Sequence, residues 1–330
     1  VISPHSEERT VVSTFRFVAA FVGQFIVQFA VLRLVSVFGK GNEQIGWQWT
    51  MAVMAGLSVV LWLVTFATTK ERVKPVKGQK NPLKQDLADL SKNVPWLLIG
   101  SATIFQLLFN VIRGGSIMYY FKYFVQDQQL FLFGKPHSYS YQTLTSTFML
   151  TGTLITIVGS LLTSFFSKRI GKSRSYWGFL GISAICSALF FFLKPQDVVW
   201  MFLLQIIASF CMGPVSVLQW AIYTDTADYS EWRTGRRATA LIMAVSLFAL
   251  KLGIALGGSI LAWILDIYGF EANVAQTARS LTGIRMVMSI YPAIAGMIGV
   301  ILMTFYPLNN TKMLQIEKDL SARRQETATE

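Results

Sequence analysis

The side chains best suited to chemistry lie in one short stretch, YTDTADYSEWRTGRR, between two long apolar segments. Three acids stand there at helical i, i+3 and i+6 spacing, namely Asp225, Asp228 and Glu231. Three bases follow them at once, namely Arg233, Arg236 and Arg237. Acids near the C-terminal end of a helix oppose its dipole unless cations pair with them. A charge cluster of this kind, at the mouth of a membrane segment, is suited to holding a gate shut.

Basic residues also lie inside the apolar segments, and no predicted span has an Asp or Glu in its interior. A charged side chain costs roughly 2.5 to 3.5 kcal/mol near the bilayer centre, so it needs a partner or a water-filled cavity. Lys251 is about halfway along its segment and is therefore suited to holding a polar ligand. Arg113 has the same need, while Arg16 is near a span end, where snorkelling is an equally good explanation. Together these residues indicate a transporter.

The composition places these residues in a membrane protein. Of 330 residues, 53% are hydrophobic and 14% charged, and the mean hydropathy is +0.49, which is too apolar for a soluble domain. Apolar runs of about 20 residues recur, the length that crosses a bilayer as a helix. Eight spans are predicted, at about 12–37, 46–69, 96–124, 146–167, 175–194, 198–223, 238–265 and 282–306. The alternating strands of a barrel are missing from the pattern, so the predicted fold is an all-α polytopic membrane protein.

The basic residues are distributed as topology signals. They crowd the second, fourth and sixth connections and the C-terminal tail, while the intervening connections hold few of them. Because basic loops stay in the cytoplasm, both termini are predicted to be cytoplasmic. The net charge of +12 forms no single basic face with interleaved aromatic residues, so we expect a lipid bilayer and no nucleic acid as partner.

Motifs of catalysis and metal binding are absent from the sequence. It has no Gly-rich phosphate loop, nucleophile elbow or paired catalytic carboxylates. His5 and His137 lie far apart, and no ligand spacing surrounds them. We therefore expect neither an enzyme nor a metal site in this chain.

Several motifs resemble one transporter family. The segment L-Q-x(4)-T-D-T-A-D-Y-S-E-W-R-T-G-R-R and the later ALKLGIALGG are similar to the glycoside–pentoside–hexuronide:cation symporters of the major facilitator superfamily. Further stretches resemble the family in the same order, namely EERTVVSTFRFVAAFVG, NVIRGGSIMYYFKYF and YGFEANVAQTARSLTGIRMVMSIYPA. The resemblance implies a twelve-helix fold in which the eight spans are helices five to twelve. Since the first residue is not methionine either, we expect the chain to be a fragment.

The resemblance also implies a domain organisation and an activity. Residues 1–69 would end the N-terminal half, 70–95 would form a basic cytoplasmic linker, 96–309 the six-helix C-terminal half, and 310–330 a cytoplasmic tail. The implied activity is symport of a sugar, glycoside or hexuronide with Na⁺ or H⁺ by alternating access, in a bacterial inner membrane. The ligands of this coupling cation are expected on the missing N-terminal helices, and no other cofactor is implied.

Two sets of functional residues follow. The residues expected to contact substrate are Arg16, Asn110, Tyr120, Gln219, Ser246 and Lys251. The residues expected to close the cytoplasmic side are Arg9, Asp225, Asp228, Glu231, Arg236 and Arg237. Arg16 and Lys251 match basic residues of the family's sugar-binding region, where a guanidinium fork suits vicinal hydroxyls or a carboxylate. For Asn110 helix packing is an alternative role, and for Tyr120 an interfacial aromatic belt.

Two other classes of protein stay open at this point. One is a cation-coupled lysolipid transporter on the same scaffold, which an apolar cleft between helices five and eight would favour. The stretch from Phe21 to Val37 is apolar enough to suit it. The other is a truncated remnant that does not transport, against which the intact acids and the intact Lys251 argue.

Overall fold

The computed structural model describes residues 6–40, 42–68, 89–132, 135–235 and 239–329. Its helices are α1 (Ser6–Gly39), α2 (Glu43–Thr68), α3 (Val94–Tyr119), α4 (Tyr141–Leu161), α5 (Thr163–Ile170), α6 (Lys172–Leu189), α7 (Val198–Thr234), α8 (Thr239–Ile267), α9 (Ala278–Met288), α10 (Ile290–Thr304) and α11 (Asn310–Thr329). A π-helical turn, Tyr120–Val125, continues α3, and two short strands, β1 (Gln128–Leu132) and β2 (Lys135–Tyr139), follow it. Most of the predicted linker at 70–95 lies outside the described residues.

Within the described ranges, eight helical spans are long and apolar enough to cross a membrane, as the hydropathy pattern predicts. The sixth span continues well beyond its predicted end at 223, because α7 runs on through the acidic stretch to Thr234. Gly235 then ends the helix: its φ of 69° is left-handed, and its N–H donates to the Glu231 carbonyl. The acids therefore lie on the last turns of a long helix.

The eighth span bends at Ser289, where the hydropathy pattern predicts one continuous helix. Pro292 has no N–H to donate to the Met288 carbonyl, and Ser289 leaves helical geometry with φ −120° and ψ −78°. Ser187 on α6 donates to the carbonyl oxygens of Met288 and Ser289 at 3.2 and 3.3 Å. Carbonyls freed inside a membrane are tolerated where a neighbouring helix supplies such a donor.

The two ends of the bundle differ. At one end β1 and β2 form an antiparallel hairpin between α3 and α4, in the register Gln128↔Tyr139. We call this the hairpin end, and its strands were not predicted from the hydropathy pattern. At the other end lie the starts of α3 and α6, the last turns of α7, and α11. We call it the basic end, and Lys92, Lys172 and Arg233 lie there.

Helices α4 and α7 cross in close contact, which positions the site described below. A Cβ added at Gly159 on α4 would overlap the Phe210 carbonyl oxygen, and one added at Gly213 on α7 would meet the backbone of α4. Small residues that let backbones approach are typical of helix interfaces in membranes. In α8, Gly257 packs against Val111 of α3 in the same manner, while a Cβ added at Gly258 would meet no atom of the described residues within 4 Å.

We expect Gly159→Ala to destabilise the protein by about 1–3 kcal/mol, because the added methyl group must push two backbones apart. The matched control is Gly178→Ala on α6, where a Cβ meets none of the residues that the structure describes within 4 Å. That control should be neutral, or more stable by roughly 0.5–1 kcal/mol from helix propensity. Thermal unfolding of the purified variants in detergent measures both. An equal effect of the two substitutions would contradict the tight crossing.

Candidate functional site

A polar cavity of about 250 Å³ lies between α1, α3, α4 and α7. Most of its polar lining consists of side-chain amides and hydroxyls: Gln24, Gln28, Asn110, Thr153, Thr156, Gln205, Ser209 and Ser216. Arg113 is the charged residue of the lining, and the apolar wall includes Phe21, Phe109, Ile117, Met149 and Met212. The cavity therefore offers many hydrogen-bonding groups to a small polar ligand.

Hydrogen bonds between the helices hold the cavity walls together. Thr153 on α4 donates to the Oε1 of Gln28 on α1 at 3.0 Å, and this bond ties α1 to α4. Thr156 on α4 donates to the Ser209 carbonyl of α7 at 3.2 Å. Asn110 lines the cavity, as its prediction as a substrate contact requires.

Arg113 is held by Gln205 of α7. Its Nη2 donates to Gln205 Oε1 at 2.7 Å, and its guanidinium carbon lies 5.3 Å from the ring centroid of Phe190. Gly152 makes this possible, because a Cβ there would overlap the Nε2 of Gln205. The sequence predicts that Arg113 needs a partner or a cavity, and the structure gives it both. Gln205 was missed, since a glutamine in an apolar helix carries no signal of which residue it faces.

Arg16 and Lys251 do not line this cavity. Arg16 is an exposed residue of α1 whose guanidinium carbon lies 4.6 Å from the ring centroid of Trp220 on α7. Lys251 is exposed on α8, two residues before Gly253 and thus roughly 200° around the helix axis from it. Gly253 packs against α3 through Ile104 and Leu107, so Lys251 is on the opposite side of α8.

Gln219 and Ser246 belong to a second, buried polar group. Tyr223 of α7 donates to Thr103 Oγ1 at 2.7 Å, and Gln219 and Ser246 lie beside the same hydroxyl. Ser246 also accepts from Trp96 Nε1 at 3.1 Å. Gln219 and Ser246 therefore lie close together, but outside the lining of the cavity.

Tyr120 lies in an aromatic core. It is fully buried, and the rings of Phe121, Phe124 and Phe190 surround it at centroid distances of 6.0, 5.1 and 6.2 Å. An interfacial belt, the alternative role for this residue, requires exposed rings, so the structure corrects that interpretation. Tyr120 is also outside the lining of the cavity.

At the basic end, Asp225 forms an ion pair with Lys172. Lys172 Nζ lies 2.7 and 3.0 Å from the two carboxylate oxygens, and the exposed side-chain fractions are 14% for Lys172 and 4% for Asp225. Gly171, with φ 96°, makes the turn that lets α6 begin with Lys172. The pair joins α6 to α7 at the end where the sequence predicts a gate, through a cation that the prediction did not include.

Two of the other predicted gate residues also lie on the last turns of α7. Asp228 and Glu231 lie one and two turns further along α7 and each interacts with a neighbour. Arg236, Arg237 and the side chain of Arg9 lie outside the described residues. Beside the ion pair, burial raises the pKa of the Tyr306 hydroxyl well above its ordinary value, and the Asp225 carboxylate raises it further. This hydroxyl therefore stays protonated next to Asp225.

The chain matches the MFS/sugar transport protein family over residues 1–310. Two similar proteins of Escherichia coli K12 are the "Putative glycoside/cation symporter YagG", 30% identical over 98% of this chain, and the "Inner membrane symporter YicJ", 28% identical over 97%. The isoprimeverose transporter of Lactiplantibacillus pentosus is 29% identical over 93% of the chain. The chain spans 68%, 67% and 62% of the lengths of these three relatives. By its sequence and its eight apolar spans, the chain is an integral membrane protein of the MFS/sugar transport family.

Proposed function

We propose that the protein is a secondary active transporter, which couples Na⁺ or H⁺ to symport of a sugar, glycoside or hexuronide. The polar cavity between α1, α3, α4 and α7 carries this proposal, since more amides and hydroxyls line this one space than the hydrogen bonds between the helices use. At about 250 Å³ its volume suits a ligand of about one sugar ring. The names of the relatives, two symporters and an isoprimeverose transporter, support the same activity.

Alternating access gives the remaining residues their roles. The Lys172–Asp225 pair would hold the basic end closed, and Arg16 and Lys251 would contact substrate or pair with carboxylates of neighbouring helices. The positions of both termini in the cytoplasm, the bacterial inner membrane and the numbering of the spans as helices five to twelve remain parts of this proposal. The ligands of the coupling cation are also a part of this proposal. In the described ranges, no group of three or more His, Cys, Asp or Glu is arranged to hold a metal ion.

The lining of the cavity favours a sugar over a lysolipid. A lipid tail would require an apolar cleft between α1 and α4, the helices that the family resemblance numbers five and eight. In the structure these helices present Gln24, Gln28, Thr153 and Thr156 to the cavity. Filling such a space with hydrocarbon would leave without partners the amide groups that the hydrogen bonds between the helices do not use, at a cost of about 1–3 kcal/mol each.

Uptake of radiolabelled sugars tests the proposal. Vesicles that contain the protein would be given a panel of sugars, with and without inward gradients of Na⁺ or H⁺, beside the variant Lys251→Ala. We expect accumulation of at least one sugar under one gradient and its loss in the variant. A folded protein that accumulates no sugar under either gradient would contradict sugar symport, and uptake of a lysolipid would then favour the alternative.

A further inference from the structure

The guanidinium of Arg113 is deeply buried and incompletely satisfied. Its exposed fraction is 9%, and its Nε has no hydrogen-bond partner among the described residues. Gln205 Oε1 and the ring of Phe190 are the contacts that hold it in place. Both are neutral groups. A full positive charge inside a membrane protein is normally balanced by an anion, because burying it alone is far more costly.

The cavity that Arg113 lines supplies no such anion. All seventeen lining residues lie in the described part of the chain, and none of them is acidic. The lining does supply hydroxyl and amide groups, including Asn110 one turn before Arg113 on the same helix. The cavity therefore combines one buried cation with hydrogen-bonding groups that match the hydroxyls of a sugar.

Gln205 keeps the guanidinium in this place. Its side chain occupies the space left by Gly152 and accepts from one terminal nitrogen of Arg113. Since an amide oxygen orients a guanidinium without neutralising it, the remaining N–H groups keep their capacity for a charged acceptor. A guanidinium presents its donors as a planar fork that fits the oxyanion of a carboxylate or a sulfonate.

We propose that Arg113 is a specificity residue for an anionic substrate, and that it binds the oxyanion of a small polyhydroxylated acid such as a hexuronide in this cavity. The inference rests on the proposed function and narrows its substrate class. Asn110 and the hydroxyls of α4 would bind the sugar hydroxyls, and Gln205 would position Arg113. Lys172–Asp225 and the exposed Arg16 and Lys251 are not needed for this preference.

Calorimetric binding to the purified protein tests the inference. The probes are methyl β-D-glucuronide, methyl β-D-glucoside, which replaces the carboxylate by a hydroxymethyl group, and a three-carbon dihydroxysulfonate. We expect the glucuronide to bind at least about 10-fold more tightly than the glucoside, as for a charge-assisted hydrogen bond. The sulfonate arm tells whether any small oxyanion is accepted or the carboxylate of a sugar ring is required.

Two variants test whether Arg113 causes the preference for the glucuronide over the glucoside. Arg113→Gln should weaken glucuronide binding about 10- to 100-fold and change glucoside binding less than about 3-fold. Gln205→Glu should also remove the preference, because its carboxylate, about 2.7 Å from Nη2 in the amide's place, would occupy the fork without enlarging the side chain. The second variant keeps the test valid if the first does not fold.

The matched control is Arg285→Gln on α9. Arg285 is another guanidinium whose buried Nε has no hydrogen-bond partner in the described part of the chain, but it donates to the Phe191 carbonyl and is outside the cavity lining. Its loss should leave the ratio of glucuronide to glucoside affinity unchanged. Equal binding of the two glycosides, equal weakening of both by Arg113→Gln, or no binding of any anion would overturn the inference.

The result of this binding test can be distinguished from the result of the uptake test of the proposed function. Arg113-dependent glucuronide binding without gradient-driven uptake would uphold the site and contradict symport. Gradient-driven uptake of a neutral sugar alone, unchanged in Arg113→Gln, would uphold symport and overturn the site.

Discussion

Replacing Asp225 by asparagine is expected to open the basic end of the bundle. The substitution leaves the Lys172 ammonium without its carboxylate in a site where both side chains are largely buried. Removal of one partner of a buried pair costs about 3–5 kcal/mol, because the remaining charge is uncompensated. If the pair is formed when the basic end is closed, that cost falls on the closed state. A difference of about 3 kcal/mol changes the ratio of two states by about 100-fold.

Thiol labelling from the side of the basic end measures this change. Ser216 lines the cavity and donates to its own helix, at the Met212 carbonyl, so Ser216→Cys is a mild probe. The natural cysteines, Cys186 and Cys211, are buried and contribute little background. We expect faster labelling of the probe by an impermeant reagent in both Asp225→Asn and Lys172→Gln.

A control must show that the loss of a positive charge does not by itself change the labelling rate. Lys194→Gln at the hairpin end removes one exposed cation and leaves the Lys172–Asp225 pair intact. It should leave the labelling rate unchanged. The double variant Lys172→Gln with Asp225→Asn should label more slowly than either single variant, since it removes both charges of the pair together. Equal labelling of all these proteins would mean that the pair does not hold the basic end closed.

The spans could be predicted from the sequence because hydropathy over some twenty residues depends on composition and not on packing. The acids of the basic end were predictable as well, since their spacing on one helix is a local property. The bend at Ser289 was harder to predict from the sequence, although Pro292 indicates an interrupted helix there. Its stability depends on Ser187, about a hundred residues earlier in the chain, whose hydroxyl reaches the Met288 carbonyl that Pro292 leaves free.

Pairings between helices could not be predicted, because they depend on how each helix is rotated. Lys172 looked like a topology signal, and only the turn at Gly171 and the packing of α6 on α7 bring it to Asp225. Arg113 was recognisable as a cation in need of a partner, but its position against Gln205 was not. Tyr120 has the amphipathic character of a sugar contact, yet its helix turns it into the aromatic core.

Replacing Arg16 by glutamine is expected to reduce gradient-driven uptake of the transported sugar by about 10- to 100-fold, the loss of one or two charge-assisted hydrogen bonds to a ligand. Arg16 is exposed and its guanidinium lies over the Trp220 ring of α7. If this stacking were its whole role, the loss would be about 0.5–1 kcal/mol, or roughly 2- to 5-fold. The size of the effect therefore distinguishes a ligand contact from a packing contact.

Two variants turn this difference into a test of Arg16. Arg33→Gln is the matched control, since Arg33 is on the same helix, is exposed, and stacks on the Phe29 ring of its own helix at 3.9 Å. It should leave uptake nearly unchanged. Trp220→Leu removes the stacking and keeps the charge of Arg16, so it should cost no more than the packing contact. If Trp220→Leu and Arg16→Gln reduce uptake equally, the role of Arg16 is to join α1 to α7. The substrate must then be bound by other residues, and Arg113 is the buried cation that lines the cavity.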